Sequence, residues 1–192
     1  GEHGPLKYGC SLSQDSYGRI WAGTYDRGAL VFEYGDWRPL NSNNGLAHNS
    51  VYQVLQDTEG FLWFATMGGA SRLDEHGLTV YGDEDGLRET NIHHLRQDAA
   101  CALWLAHMVG SAGVTVLADS VLTTYMEADG LAGDHVGRTY ADQSGHTWVT
   151  GEGGATRIEG DSVTIVGLDQ GLPTRGAYSM IQTTDGIYWF GT

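Results

Sequence analysis

The chain has 192 residues, 41% of them hydrophobic, enough to bury a real core in one or two domains. Its formal net charge of −14 repels a phosphate backbone and an anionic bilayer surface, so nucleic acid is excluded as the expected partner and neutral or cationic ligands are favoured. Two cysteines, Cys10 and Cys101, imply no disulfide framework, and no apolar run reaches the length of a transmembrane helix.

The first structured signal is "DSYGRIWAGT", Asp15 to Thr24, followed by the loop "TYDRG" and by "NGL" ending at Leu46. The same order returns with "DTEGFLWFAT" and "DGL" ending at Leu87, with Trp104 and "DGL" ending at Leu131, and with "DQSGHTWVTG" and "QGL" ending at Leu172. A last copy, "DGIYWFGT", ends the chain. Trp21, Trp63, Trp104, Trp148 and Trp189 are separated by 42, 41, 44 and 41 residues, by subtraction of their numbers. Two markers in phase predict repeats at about 10–50, 51–91, 92–135 and 136–176, with a partial one at 177–192.

The second copy shows the grain best. "VYQVLQD", "GFLWFAT", "ASRLD" and "LTVYG" are short β-rich runs parted by turn residues, with no helical period. They predict four antiparallel strands, A to D from the inside out. Strand B is apolar on both faces, through Phe61, Trp63 and Ala65 on one and Leu62 and Phe64 on the other. Each sheet is therefore expected to be covered on both faces by neighbouring sheets. The expected fold is all-β, a β-propeller of four complete four-stranded blades and a partial fifth, as a fragment of a larger propeller. The Asp of each repeat should accept hydrogen bonds from the A–B turn, and the Gly should supply its left-handed residue. Trp21, Trp63, Trp104, Trp148 and Trp189 are expected to be structural, filling the space between blades. Cys101 stands where the other copies carry Gly18, Gly60, Gly145 and Gly186, so that turn either changes type or is strained. In the fifth copy Asp185 lies next to Gly186 rather than three residues before it, a slip in the pattern.

No motif for metal, phosphate or nucleophilic chemistry is present, so no catalytic residue, metal or cofactor is expected. "GDEDG" at 82–86 misses calcium-loop spacing and reads as a solvated turn. His93 and His94 open a strand and point to opposite faces, against a shared metal. Strand alternation puts the D-to-A connections and B–C loops on one rim and the A–B and C–D turns on the other. The turn rim is uniform, whereas the first rim varies. That variation nominates Tyr25, Asp26, Arg27, His48, Asn49, Arg88, Glu89, His107, Asp134, His135, Glu152 and Arg175 as ligand-binding candidates. The structural alternative for each is an ordinary solvated loop residue. In the third copy the B–C loop is longer, nine positions from Trp104 to Gly113 against six in the second and fourth.

"VLQDTEGFLWFATMGGASRLD" followed by "DGLRETNI" resembles the two-component regulator propeller repeat. The resemblance runs from about Ser11 to Thr192 and is weakest in the third copy. It implies the extracytoplasmic (periplasmic) sensor region of an inner-membrane signalling protein, similar to hybrid histidine kinases or diguanylate cyclases. It implies a small-molecule ligand, often a carbohydrate, and as partners the remaining blades and signalling domains of a full-length receptor. It implies no enzymatic activity in this segment. The alternatives are a streptogramin-lyase-like propeller enzyme and a protein-interaction propeller. A fifth repeat lacking its C and D strands is also expected to leave an open apolar blade face that invites self-association.

Overall fold

The computed structural model describes residues 9–107, 110, 112–160 and 162–192. They form four antiparallel four-stranded sheets and one two-stranded sheet. The first holds β1 (Gly9–Gln14), β2 (Ile20–Thr24), β3 (Ala29–Glu33) and β4 (Asp36–Leu40). The second holds β5 (Val51–Gln56), β6 (Leu62–Thr66), β7 (Gly69–Asp74) and β8 (Gly77–Tyr81). The third holds β9 (Ile92–Gln97), β10 (Leu103–His107), β11 (Val114–Ala118) and β12 (Val121–Tyr125). The fourth holds β13 (Val136–Ala141), β14 (Thr147–Gly151), β15 (Gly154–Glu159) and β16 (Ser162–Val166), and β17 (Ser179–Gln182) pairs with β18 (Tyr188–Gly191). Strand order follows sequence order in every sheet, the up-and-down meander of a propeller blade. The chain divides into two compact units, one up to Leu95 and one from Arg96.

Within the first unit, the core lies between the first two sheets. Trp21 meets Phe64 edge to face at 5.5 Å, among Leu46, Val51, Val54 and Leu62. Gly23 has no side chain because a Cβ there would stand 2.6 Å from the Val51 carbonyl of the next inner strand. In the second unit Trp104 packs with Leu131, Val136 and Val149, and Trp148 with Ala177, Met180, Tyr188 and Phe190. Strands β6, β10 and β14 are buried along their whole length, as apolar residues on both faces require. Trp189, on the last sheet of the sequence, is 62% exposed, unlike the other four of the series.

The repeating Asp joins the turn to the tryptophan. Asp15 Oδ1 accepts the amides of Tyr17 and Arg19, and its Oδ2 accepts the Trp21 indole N–H at 2.8 Å. Asp57 binds the amides of Glu59 and Phe61 and the Trp63 indole at 2.7 Å. Asp98 does the same for Ala100, Ala102 and Trp104, and Asp142 for Ser144, His146 and Trp148. One carboxylate thus closes the hairpin and orients the ring that fills the space between sheets. In the fifth copy Thr183 takes the place of the Asp, six residues before Trp189, and Gly186 donates to its carbonyl as Gly18 does to that of Asp15. The turn therefore persists, and the offset of Asp185 is a substitution at position 183.

The "GL" marker is a one-turn 3-10 helix ended by a left-handed glycine, Gly45, Gly86, Gly130 or Gly171, with φ from +99° to +106°. The residue before that glycine reaches back to the amide that opens the turn: Asn44 to Asn41, Asp85 to Gly82, Asp129 to Met126, Gln170 to Gly167. Leu46, Leu87 and Leu131 then insert into the core. The acidic "GDEDG" is thereby accounted for as backbone capping.

Cys101 keeps the turn and carries the strain, with φ +66°. A left-handed non-glycine residue costs about 1–3 kcal/mol, and glycine returns roughly 0.5–1 kcal/mol of that as chain entropy. Cys101→Gly is expected to raise the unfolding free energy by about 0.5–1 kcal/mol, read from the urea midpoint at unchanged m-value.

Candidate functional site

The loops of the variable rim are held by backbone contacts that leave side chains free to differ. In the second unit the Glu152 amide donates to the His135 carbonyl at 3.1 Å, and the Gly113 amide donates to the Asp134 carbonyl at 2.9 Å. The Ala132 amide donates to the buried Thr156 hydroxyl at 2.7 Å. A Cβ on Gly153 would overlap the Ala132 carbonyl, so this glycine allows the two segments to meet backbone on backbone. The first unit repeats the device: the Ala47 amide donates to Ser71, and Gly68 lies under the Ala47 carbonyl.

That packing opens a cleft of about 500 Å³ in the second unit. Asp134, His135, Glu152 and Arg175, four of the twelve nominated residues, line it together. His135 Nδ1 stands 3.7 Å from Glu152 Oε2, with both side chains substantially exposed at 44% and 64%. Such a pair adds little stability and remains open to a ligand. Asp134 Oδ1 accepts the Glu127 amide at 2.6 Å, which fixes its carboxylate at the cleft wall. Glu127, Asp169 and Gln170 complete the polar lining. These three come from the capped turns, whose regular spacing hid them from a search for irregular loops.

The remaining candidates do not enter this cleft. Asp26, Arg27 and Arg88 are exposed. His48 Nδ1 accepts the Ser50 amide at 2.9 Å, so this ring braces its own segment. Asn49 Oδ1 accepts the Ser42 amide and Glu89 Oε1 the Asn91 amide, so both brace their own segments. His107 is fully buried at the end of β10, and its Nε2 lies 2.9 Å from Thr115 Oγ1, which in turn lies 3.1 Å from Thr124 Oγ1. It faces the sheet interior. Of the longer third B–C loop, Met108, Val109 and Ser111 lie outside the described residues.

Tyr25 is 55% exposed and belongs to a second group. Its ring meets Tyr52 edge to face at 5.9 Å, and Tyr52 stacks on His93 at 3.9 Å with 14° between the planes. Register shifts skip Cys10 on β1 and Tyr52 on β5, the bulges that turn these side chains out of the sheet alternation. Burial pushes the Cys10 thiol up, against a hydrogen bond from Tyr25 that lowers it. Burial, then Tyr25 and Cys10, push the Tyr52 phenol up, and burial holds His93 below the ordinary histidine value. Burial thus favours the uncharged forms of Cys10, Tyr52 and His93. Cys10, Tyr52 and His93 were not nominated, because a bulge has no signature in strand-like sequence.

Comparison with known proteins agrees with this architecture. Residues 7–26 and 45–68 match the family model described as two component regulator propeller. No curated protein sequence matches the chain. Among solved structures, the extracellular domain of a hybrid two component system from B. thetaiotaomicron superposes with a TM-score of 0.78 at 19% identity, covering 95% of this chain and 26% of that one. A second extracellular domain from the same organism, of a one component system, gives 0.76 at 24% identity, covering 96% and 28%. Virginiamycin B lyase from Staphylococcus aureus gives 0.73 at 14% identity, covering 95% and 62%. The chain is similar in fold to each and spans about a quarter of the length of the two sensor domains.

Proposed function

We propose that this chain, which carries two component regulator propeller repeats, is a non-catalytic segment of an extracytoplasmic sensor and takes up a neutral saccharide or similar polyol. In this reading further blades and a signalling output domain are its partners, and the whole receptor sits in the inner membrane with this segment in the periplasm. The observation that carries it is the cleft where Asp134, His135, Glu152 and Arg175 meet. Its size lies within the roughly 300–1,000 Å³ of small-ligand sites. Carboxylates, an imidazole and a guanidinium together accept from and donate to vicinal hydroxyls, and a net charge of −14 does not repel an uncharged ligand. The lyase alternative rests on fold alone.

Calorimetry with a panel of neutral oligosaccharides tests the reading. Glu152→Gln and Arg175→Ala are expected to weaken binding about tenfold each, since each removes a charge-assisted hydrogen bond from an open site. Circular dichroism should be unchanged. Affinity indifferent to both substitutions would overturn the assignment of this cleft.

A further inference from the structure

The hairpin turns are not uniform: the first sheet carries a cleft of about 510 Å³ between its A–B and C–D turns, lined by Tyr17, Arg19, Phe32, Glu33 and Tyr34. Tyr17 is 81% exposed, Tyr34 92% and Phe32 37%. The same turns are built three more times without these aromatics. Counting back from each tryptophan, Tyr17 corresponds to Glu59, Ala100 and Ser144. By strand register, Phe32 corresponds to Leu73, Leu117 and Ile158, and two residues on, Tyr34 corresponds to Glu75, Asp119 and Gly160. The scaffold thus has no need of the Tyr17 and Tyr34 rings, whereas Phe32 stands at a position that is apolar in every copy.

Backbone conformation supplies an independent observation. Tyr34 and Gly35, at φ +54° and +84°, are the two left-handed positions of a tight hairpin turn, and the counterparts Asp119 and Gly160 take the same conformation at +49° and +57°. The turn asks for glycine, asparagine or aspartate there, so an exposed tyrosine is a choice the turn itself does not make. Arg19 is preorganised beside it. Its Nε donates to Asp15 Oδ2 at 2.6 Å, and its guanidinium lies 5.3 Å from the Tyr17 ring and 5.4 Å from that of Trp21.

We propose that this cleft is a second saccharide-binding site, with Tyr17 and Tyr34 as stacking platforms for sugar rings and Arg19 and Glu33 as hydrogen-bonding partners of their hydroxyls. The Arg19 charge is already balanced by Asp15, and Glu33 disfavours anions, so the ligand is a neutral sugar. The site shares no residue with the cleft of Asp134 and Glu152 and does not depend on it.

The test uses the whole chain with neutral hexasaccharides of glucan, xylan, mannan and galactan type, followed by calorimetry and sedimentation. Tyr17→Ala and Tyr34→Gly are each expected to weaken binding at least about tenfold, whereas Glu152→Gln and Arg175→Ala leave this event unchanged. Tyr34→Gly is also expected to raise the melting temperature by about 2–4 °C by relieving the turn, so affinity and stability move in opposite directions. A purely structural tyrosine would lower both. In a Glu152→Gln/Arg175→Ala background, absence of binding by every sugar, or binding that survives the added Tyr17→Ala and Tyr34→Gly, overturns the proposal. So does concentration-dependent self-association abolished by the same substitutions, which would make the face a contact between copies.

Discussion

Asp142→Ala is expected to lower the unfolding free energy by about 3–5 kcal/mol. The carboxylate is buried and accepts from the amides of Ser144 and His146, the Trp148 indole and the Tyr188 hydroxyl, while His146 Nδ1 lies 3.0 Å away. Removing it strands several polar groups at once. Each hydrogen bond to a charged acceptor is worth about 1.5–3 kcal/mol, and local relaxation and water recover part of the sum. Asp142→Asn is expected to lose less, because one acceptor oxygen remains for the turn amides. Chemical denaturation at neutral pH reads both values, and a loss below about 1 kcal/mol for the alanine variant would refute this account.

The same residue sets a pH dependence of definite sign. Burial alone would raise the Asp142 carboxyl, but the hydrogen bonds from Trp148, from the His146 ring and amide, and from Tyr188 outweigh it and hold it far below the usual carboxylate range. Asp15 is shifted the same way, with burial opposed by Trp21 and Arg19. As pH falls, the unfolded chain binds these protons first, near pH 4. The stability they contribute is whole above that value and is lost as pH drops towards their folded values. Urea titrations from pH 6 to pH 3 should show a steep decline in the parent chain and a shallower one in Asp142→Ala.

Phe64→Ala is expected to cost about 3–5 kcal/mol through the core of the first unit. The ring is fully buried, meets Trp21 edge to face, and packs among Leu46, Val51, Val54 and Leu62. Its removal forfeits burial, dispersion contacts and the aromatic pair, and backbone-on-backbone sheet packing limits how far the cavity collapses. Leu12→Ala, on β1 but 72% exposed, is the matched control and should stay within about 0.5 kcal/mol.

The strand content, the blade period and the hairpin turns were legible in the residues because their causes are local. An Asp that caps amides two and four residues on and an indole six residues on leaves a fixed spacing in any chain that uses it. A capped 3-10 turn likewise writes its acceptor, its left-handed glycine and its buried leucine into adjacent positions. At Cys101 position alone left a changed turn or a strained residue, and the structure has the strained one. Only tertiary packing decided which side chains share a site. Asp134, His135, Glu152 and Arg175 lie up to 41 residues apart by subtraction, and the approach of Gly153 to Ala132 brings the first three together. His107 looks like a rim residue in sequence, yet the register of β10 on β11 turns it inward to Thr115. Bulges at Cys10 and Tyr52 reversed the alternation that sequence would assign. Local hydrogen bonds repeat with the chain, whereas a binding surface depends on the direction of side chains from distant segments, which long-range pairing sets.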